Sequence, residues 1–363
     1  MTRETMETIS VVSRSSDSKH NVASVEAIAA RLAALTGRQV GPTLQNFDAA
    51  DGAFLVPTFS LIRQNHPELG RNRFWGGCVD HEFMTTKLAT HPAWTERDNL
   101  PAGWQPQFAE DLAGSALTGF SVFSHQHALD AGTFLLDKRR IRLKDPYASG
   151  GKKQSVFATD RELDRFLQNV PDSEITRGMV IEEDIENSTT YSVGQVSIGD
   201  LTASYLGRQY NARDPKGDHV YAGSRLHVVR GDWDALLARL HMPTAHRIIQ
   251  GARHYDSAAE KHFGLIASRK NYDVLVGPIT ESGFCCGVLE QSWRVGGASP
   301  AEILALEALA ENSTVVALQV VAHEGYGQVP QFAETDFVVY VGDDDAGQPM
   351  HKYARIEKLY HDP

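Results

Sequence analysis

Basic residues are in the minority in this chain, and none of them form a long run. With 35 Lys and Arg against 46 Asp and Glu, the formal net charge is -11, which speaks against binding to a nucleic-acid backbone, since that requires a cationic surface. Cysteine is scarce: Cys78, Cys285 and Cys286 are the only three. An odd count with one adjacent pair makes no disulfide framework and offers no C-x-x-C zinc spacing. No apolar run approaches the roughly 18 residues of a membrane-spanning helix, and the opening stretch MTRETMETISVVSRSSDSKHN lacks a signal-peptide core. These absences lead to the expectation of a cytoplasmic protein with reduced thiols, with neither nucleic acid nor membrane among its partners. The 15 histidines invite a transition-metal site. Yet H-E-x-x-H is missing, and His125 and His127 stand two apart at an expected helix start, where i and i+2 do not share a face. G-x-S-x-G is missing too, which argues against a serine hydrolase. Cys285 and Cys286, set between apolar neighbours, read as core packing.

What is present alternates between strands and helices. At 363 residues the chain exceeds one ordinary core, so two or three subdomains are expected. ISVVSR reads as a short buried strand and ASVEAIAARLAALTG as an amphipathic helix closed by Gly37. GAFLVPTFSLI is an apolar run broken at Pro57, and HEFMTTKLATHPAW is expected to be a helix stopped by Pro92. TERDNLPAGWQPQFAEDLAGS is a long connection at a subdomain boundary. From Gly119 the pattern sharpens: strand FSVFS, helix HQHALDAGTFLLD, strand RIRLKDP, loop YASGGKKQ, strand SVFA, helix TDRELDRFLQNV and strand GMVIEEDIE. TYSVGQVSIGDLTASYLGRQY turns at Gly199-Asp200 as a hairpin, and NARDPKGDHVYAGSR is expected to be a mobile polar loop. WDALLARLHM and TAHRIIQGARHYDSAAEKHF are helical, NYDVLVGPI and CCGVLEQSW form a strand pair, and SPAEILALEALAE is a helix. STVVALQVVAHEGY fits helix or strand, and the tail from Asp336 has no assignable pattern. The fold class is therefore α/β in the N-terminal part and α+β in the central and C-terminal parts.

A few segments carry candidate chemistry. Lys144 ends its strand and precedes a loop with Ser149, Gly150 and Gly151, whose backbone N–H groups could approach phosphate oxygens. This is no Walker A loop, because G-x-x-x-x-G-K-[ST] is absent. VIEEDIENS brings Glu182, Glu183 and Ile185 to a strand exit, offering backbone groups and an apolar side chain to an adenine and a carboxylate to a ribose. Asp273 and Glu290 lie on adjoining strands, where both carboxylates can share a face and hold Mg2+, which takes a few protein oxygens and completes its shell with phosphate and water. Ser292 and Arg294 fall on that face of GVLEQSWR, one a weaker ligand and the other a phosphate clamp. Taken singly, these segments are equally a surface turn, an acidic strand exit and a solvated ion pair.

In this order the segments from Gly119 to Ala310 resemble the ATP-grasp superfamily. GFSVFSHQHALDAGTFLLDKRRIRLKDPYASGGKKQSVFATDRELDRFL resembles its first subdomain, and VIEEDIENSTTYSVGQVSIGD resembles the hinge strand and the start of the second. NYDVLVG with GVLEQSWRVGGASP resembles its metal-binding strand pair, and FMTTKLATHP the segment bearing another nucleotide-binding lysine, Lys87. More narrowly, the chain resembles a family of bacterial ATP-grasp-like proteins with no assigned reaction. The resemblance implies two α+β subdomains clamping ATP, with an N-terminal α/β pre-ATP-grasp domain before them. Residues 1–114 would form that domain, 115–180 the first, or lid, subdomain, and 181–363 the second with a C-terminal extension. Lys144 would contact the α- and β-phosphates with help from Lys87, and Ser149, Gly150, Gly151 and Lys153 would cover them. Glu182 and Ile185 would meet the adenine edge through their backbone, and Glu183 the ribose. Asp273 and Glu290, with Ser292, would ligate Mg2+ or Mn2+, and Arg294 would stabilise the transferred phosphoryl group. Arg208 and Arg225 become candidates for holding a substrate carboxylate. The implied activity is an ATP-dependent ligation, in which a small carboxylate forms an acyl-phosphate that an amine, thiol or other nucleophile then takes up. A non-catalytic ATP-binding regulator or scaffold and a small-molecule kinase are the alternatives. Partners are the carboxylate and the nucleophile, with a homo-oligomer as a further option. Two departures stand out: Ser292 occupies the place of the superfamily's usual Asn, and the loop GGKKQ has fewer glycines.

Overall fold

The computed structural model describes residues 8–45, 52–63, 69–95, 100–148, 153–217, 219–279 and 283–362. Strand β1 (Thr8–Val12) is buried at four consecutive positions, as befits a strand covered on both faces. It pairs in parallel with β2 (Gln39–Val40) and β3 (Phe54–Pro57). Helix α1 (Lys19–Thr36) connects β1 to β2 and buries Val25, Ile28, Ala29, Leu32 and Ala33. It stops where Gly37 takes φ 67°, which lets the Gly37 N–H close on the last-turn carbonyls. Strands β4 (Leu61–Ile62) and β5 (Gly77–Val79) form a second parallel pair.

The segment expected as one helix over 81–94 is two 3-10 turns instead, Glu82–Thr85 and Lys87–Thr90. Thr86 separates them. Its extended backbone and its hydroxyl, which donates to the Phe83 carbonyl and accepts from the Leu88 N–H, satisfy the groups a continuous helix would need. After the short helix α2 (Pro106–Asp111), a four-stranded antiparallel sheet is built from β6 (Gly119–Val122), β7 (Ile141–Lys144), β8 (Gln154–Phe157) and β9 (Met179–Glu183), in the order β6-β9-β7-β8. Helices α3 (His125–Leu136), α4 (Asp160–Leu167) and α5 (Asp172–Ile175) lie in its connections, and Ala128, Leu135 and Leu163 pack on Ile141 and Ile181. A capping box between Thr159 and Glu162 starts α4.

The rest of the chain forms an eight-stranded antiparallel sheet. Its first strands are β10 (Thr189–Ile198), β11 (Leu201–Arg213) and β12 (His219–Arg230). Helices α6 (Trp233–Arg239) and α7 (Pro243–Phe263) follow, then β13 (Ile266–Ala267), which joins β5. The sheet continues with β14 (Arg269–Pro278), β15 (Phe284–Ser292), and, after α8 (Ser299–Glu311), β16 (Val315–Tyr326), β17 (Phe337–Asp343) and β18 (Pro349–His361). The spatial order is β15-β14-β10-β11-β12-β16-β18-β17. Two expectations change here. The stretch 211–225, expected as a mobile loop, lies largely in β11 and β12, whose ladder carries a register shift at Tyr210/Asn211 that hides the alternation. The unassigned tail is a hairpin, β17–β18, and the ambiguous run before it is a strand, as its Val-rich composition favours. No helix among the described residues is long and apolar enough to cross a membrane.

One face of the large sheet packs Tyr205, Leu226, Val228 and Leu318 against α1 and α8; the other packs Val193, Tyr272 and Val274 against α6 and α7. On the second face Asp256 of α7 is buried and accepts from Tyr272 (2.6 Å), Lys270 (2.7 Å) and Trp233 (3.2 Å). Removing Asp256 takes its acceptor from Tyr272 and Trp233 and leaves the buried Lys270 only the half-exposed Glu260 at 3.0 Å. Asp256→Ala should therefore lower the unfolding free energy by about 3–5 kcal/mol in urea titrations. A loss below about 1 kcal/mol would mean that Glu260, 3.0 Å from the Lys270 Nζ, serves that charge in place of Asp256.

Candidate active site

Lys144 closes β7, and Glu182 lies diagonally from it on the same face of neighbouring β9. The Lys144 Nζ stands 2.5 Å from Glu182 Oε1, with the residues 3% and 2% exposed. His91 Nε2 meets the other oxygen at 3.1 Å. Burial works to raise the Glu182 pKa, but the Lys144 charge and the His91 hydrogen bond outweigh it, and the carboxyl sits at about 2.

On the large sheet Asp273 stands directly opposite Glu290, and the β14–β15 ladder slips by one residue beside that pair. The bulge matters. In an unbroken strand Glu290 would share the face of Val288, which is packed in the core with α7. The extra residue, Leu289, turns Glu290 to the face of Asp273. Burial, then the nearby Glu290, raises the Asp273 pKa to about 7, against hydrogen bonds from Asn271 and Gln209 and the charge of Lys87. Gln209 Nε2 and Asn271 Nδ2 reach Asp273 Oδ1 at 2.7 and 3.1 Å. The countercharge for Glu290 is Lys87, not Arg294: Lys87 Nζ lies 2.9 Å from Glu290 Oε2 and also donates to the Ala148 carbonyl.

A buried polar chain holds the far side. The Tyr205 hydroxyl lies 2.9 Å from Asn271 Oδ1 and 2.5 Å from Glu302 Oε1. Glu302, on α8, receives Arg269 through both oxygens at 2.9 and 2.8 Å. Arg269 Nη1 then donates to the carbonyls of Ser292 (2.8 Å) and Arg294 and lies 3.4 Å from Ser292 Oγ. Arg294 itself donates to the Val295 carbonyl at 2.9 Å and has no carboxylate partner among the described residues. Burial, then the Arg269 charge, lowers its pKa, with Glu290, Asp17 and Asp273 opposing. Its positive charge is under-compensated, so an anion placed there would be stabilised.

These groups line a cleft of about 1510 Å3: Lys87, Lys144, Glu182, Glu183 and Ile185 with Asp273, Glu290, Ser292, Arg294 and Arg208. Ser149, Gly150 and Gly151 lie outside the described residues. Lys153 pairs with Asp145 at 3.1 Å with its side chain 69% exposed and does not line the cleft. The Glu182 side chain serves Lys144, and Glu183 lies 3.5 Å from Arg139. Ile185 packs with Leu117 and Leu275. Arg208 and Arg225 are cross-strand partners in the register row of Tyr191, one row from that of Asp273 with Ser192 and Gly207, and of the two Arg208 lines the cleft. Arg225 pairs with Glu357 at 2.8 Å and does not line the cleft. Of the rival readings, Cys286 is buried with its thiol pushed up to about 11 by burial, which leaves it unreactive. His125 pairs with the Val170 carbonyl and Asp172.

Sequence reasoning overlooked His91, Gln209, Asn271, Arg269 and Glu302. A signal existed for Glu302, a carboxylate set in the otherwise apolar start of SPAEILALEALAE, and for Arg269, which opens an apolar strand. The amides carried none.

Chains with this arrangement of two sheets around a cleft are known. A biotin carboxylase domain dimer of the Hydrogenobacter thermophilus 2-oxoglutarate carboxylase, in complex with MgADP, ADP and bicarbonate, superposes with a TM-score of 0.56 at 11% identity, over 96% of this chain and 86% of that one. D-alanyl-alanine synthetase A of Vibrio cholerae gives 0.51 at 12% identity over 79% and 88%. An L-amino acid ligase of Bacillus licheniformis gives 0.51 at 11% identity over 98% and 94%. The fold is the ATP-grasp fold. By sequence the chain belongs to the family described as "Protein of unknown function (DUF3182)", whose profile matches residues 8–354. No curated protein matches it.

A depressed carboxyl stabilises the folded state above its unfolded pKa, and that contribution is lost as pH falls through the folded value. For Glu182 the window runs from about 4.5 down to about 2. Lys144→Met should thus cost about 2–3 kcal/mol at pH 7 and progressively less below pH 4.5, read by urea unfolding at pH 7, 4 and 3. A penalty independent of pH would refute the assigned pairing.

Proposed function

We propose that the chain is an ATP- and Mg2+-dependent ligase that activates a small carboxylate as an acyl-phosphate and couples it to a nucleophile. The observation that carries this reading is the convergence, on one cleft, of Lys144 and Lys87 with the facing acids Asp273 and Glu290 and the under-compensated Arg294. The acids fit a divalent cation. Asp273 is held near pH 7 by burial and a facing carboxylate, a situation that a bound cation relieves. Two carboxylates would leave positions for phosphate oxygens, the habit of Mg2+. Magnesium or manganese held by Asp273 and Glu290, with Ser292 beside them, would supply charge neutralisation on the triphosphate.

The chain's own groups then divide the work. Lys144 and Lys87 bind phosphate oxygens, each giving up part of its present carboxylate pairing. Ile185 offers an apolar wall for the base, with the backbone beyond Glu182 and the Glu183 carboxylate for the base edge and ribose. An oxygen of the substrate carboxylate attacks the γ-phosphorus, the bond to the β-phosphate oxygen breaks, and ADP leaves. Arg294 stabilises the charge on the phosphoryl group in flight. The nucleophile next attacks the acyl carbon, loses its proton, and inorganic phosphate departs. Residues 115–180 would act as the lid that keeps water from the acyl-phosphate, between an N-terminal domain over 1–114 and a second subdomain over 181–363.

The test is ADP and phosphate release from Mg-ATP across a panel of small carboxylic acids, each with and without amines or thiols. One acid should stimulate release, and Glu290→Gln should lower that release about 100-fold or more. Tight ATP binding without turnover under every condition would instead make the chain a regulator, and ADP release with a stable phosphorylated product a kinase.

A further inference from the structure

Gln291 follows Glu290 on β15 but points the other way, toward the 3-10 turns that carry Lys87. It is 5% exposed, and its Nε2 donates to the Met84 carbonyl at 2.6 Å and the Thr86 carbonyl at 3.2 Å. Its Oε1 is buried and has no hydrogen-bond partner among the described residues. A side chain kept only for packing would do better as a methionine of similar length, because a buried, unpaired amide oxygen is unfavourable. What the amide contributes is its two N–H groups, and both go to one segment. The next residue on each side completes the pattern: Glu290 meets Lys87 at 2.9 Å, directly after Thr86. Two consecutive residues of β15 therefore clasp the chain around Lys87 at consecutive points, one through backbone carbonyls and one through the ammonium. The segment needs such a clasp. It is made of two short 3-10 turns with an extended Thr86 between them, so little within it fixes where Lys87 points.

We propose that Gln291 is a positioning residue: by gripping the Met84 and Thr86 carbonyls it sets Lys87 where its ammonium reaches both Glu290 and a phosphate in the cleft. This rests on the nucleotide reading of the cleft, and the experiment separates the two. Binding of Mg-ATP and of adenosine would be measured for the unsubstituted protein, for Gln291→Met, which keeps length and removes the donors, and for Gln291→Asn, which keeps an amide too short to span both carbonyls. Hydrogen exchange of the amides from Met84 to Ala89 would be followed alongside. The expected result is Mg-ATP affinity weakened about 10-fold in both variants with adenosine affinity unchanged, because only the phosphates meet Lys87, together with faster exchange confined to that segment. Equal weakening for ATP and adenosine would show a merely structural residue and overturn the proposal, as would unchanged ATP affinity. If the unsubstituted protein binds no nucleotide, the functional reading falls instead, and exchange decides the positioning claim: unaltered protection of Met84–Ala89 in Gln291→Met overturns it. If Gln291→Met does not fold, Gln291→Asn decides by the same ratio.

Discussion

The pairing of β14 with β15, interrupted by Leu289, is the constraint from which the cleft follows. Val288 is committed to the core with α7, so a regular ladder would carry Glu290 to that side as well. One extra residue brings it instead to face Asp273. Desolvation, and after it the facing Glu290 carboxylate, disfavours ionisation of Asp273, which is why it stands near 7. Positive charge must be near: Lys87 comes from the 3-10 turns, distant in sequence, while Arg294 just past β15 and Arg269 at the start of β14 come from the strand pair itself.

The chain is acidic overall, yet its cleft is electrostatically mixed. Lys144 is matched to Glu182 and Lys87 to Glu290, each within about 3 Å. These pairs mean that an anionic ligand must compete with a carboxylate for each lysine, so binding would redistribute existing contacts. Arg294 is different: among the described residues its guanidinium hydrogen-bonds to the neighbouring carbonyl of Val295 and has no carboxylate partner. The Tyr205–Glu302–Arg269 chain fastens α8 to the end of β15 and so fixes the backbone at both Ser292 and Arg294. The site is therefore supported from two directions, by α8 on one face of the sheet and by the 3-10 turns on the other.

Periodicity carried most of the fold in the sequence. The helices around Leu32, Leu135 and Ile249 and the strand pair of Asp273 and Glu290 were legible because apolar spacing reports a one-sided core directly. The segment around Thr86 misled, since an apolar spacing compatible with a helix was broken by a hydroxyl that competes for backbone groups. The facing ends of β11 and β12 and the C-terminal hairpin were illegible because register shifts at Tyr210/Asn211 and Val338/Tyr340 disturb the alternation that marks strands.

The residue types at the site and their order along the chain were set by sequence alone: a lysine closing one strand, two acids on a later hairpin, an arginine just past it, and an acidic strand exit between. That order was enough to point to the ATP-grasp fold. Which charges meet was decided only by the tertiary structure. Lys87 rather than Arg294 answers Glu290, Arg225 pairs with Glu357, and Lys153 stays on the surface with Asp145. The physical reason is that pairing depends on the face each side chain leaves by, and a single bulge or a neighbouring strand's register reverses that face without changing the local sequence pattern.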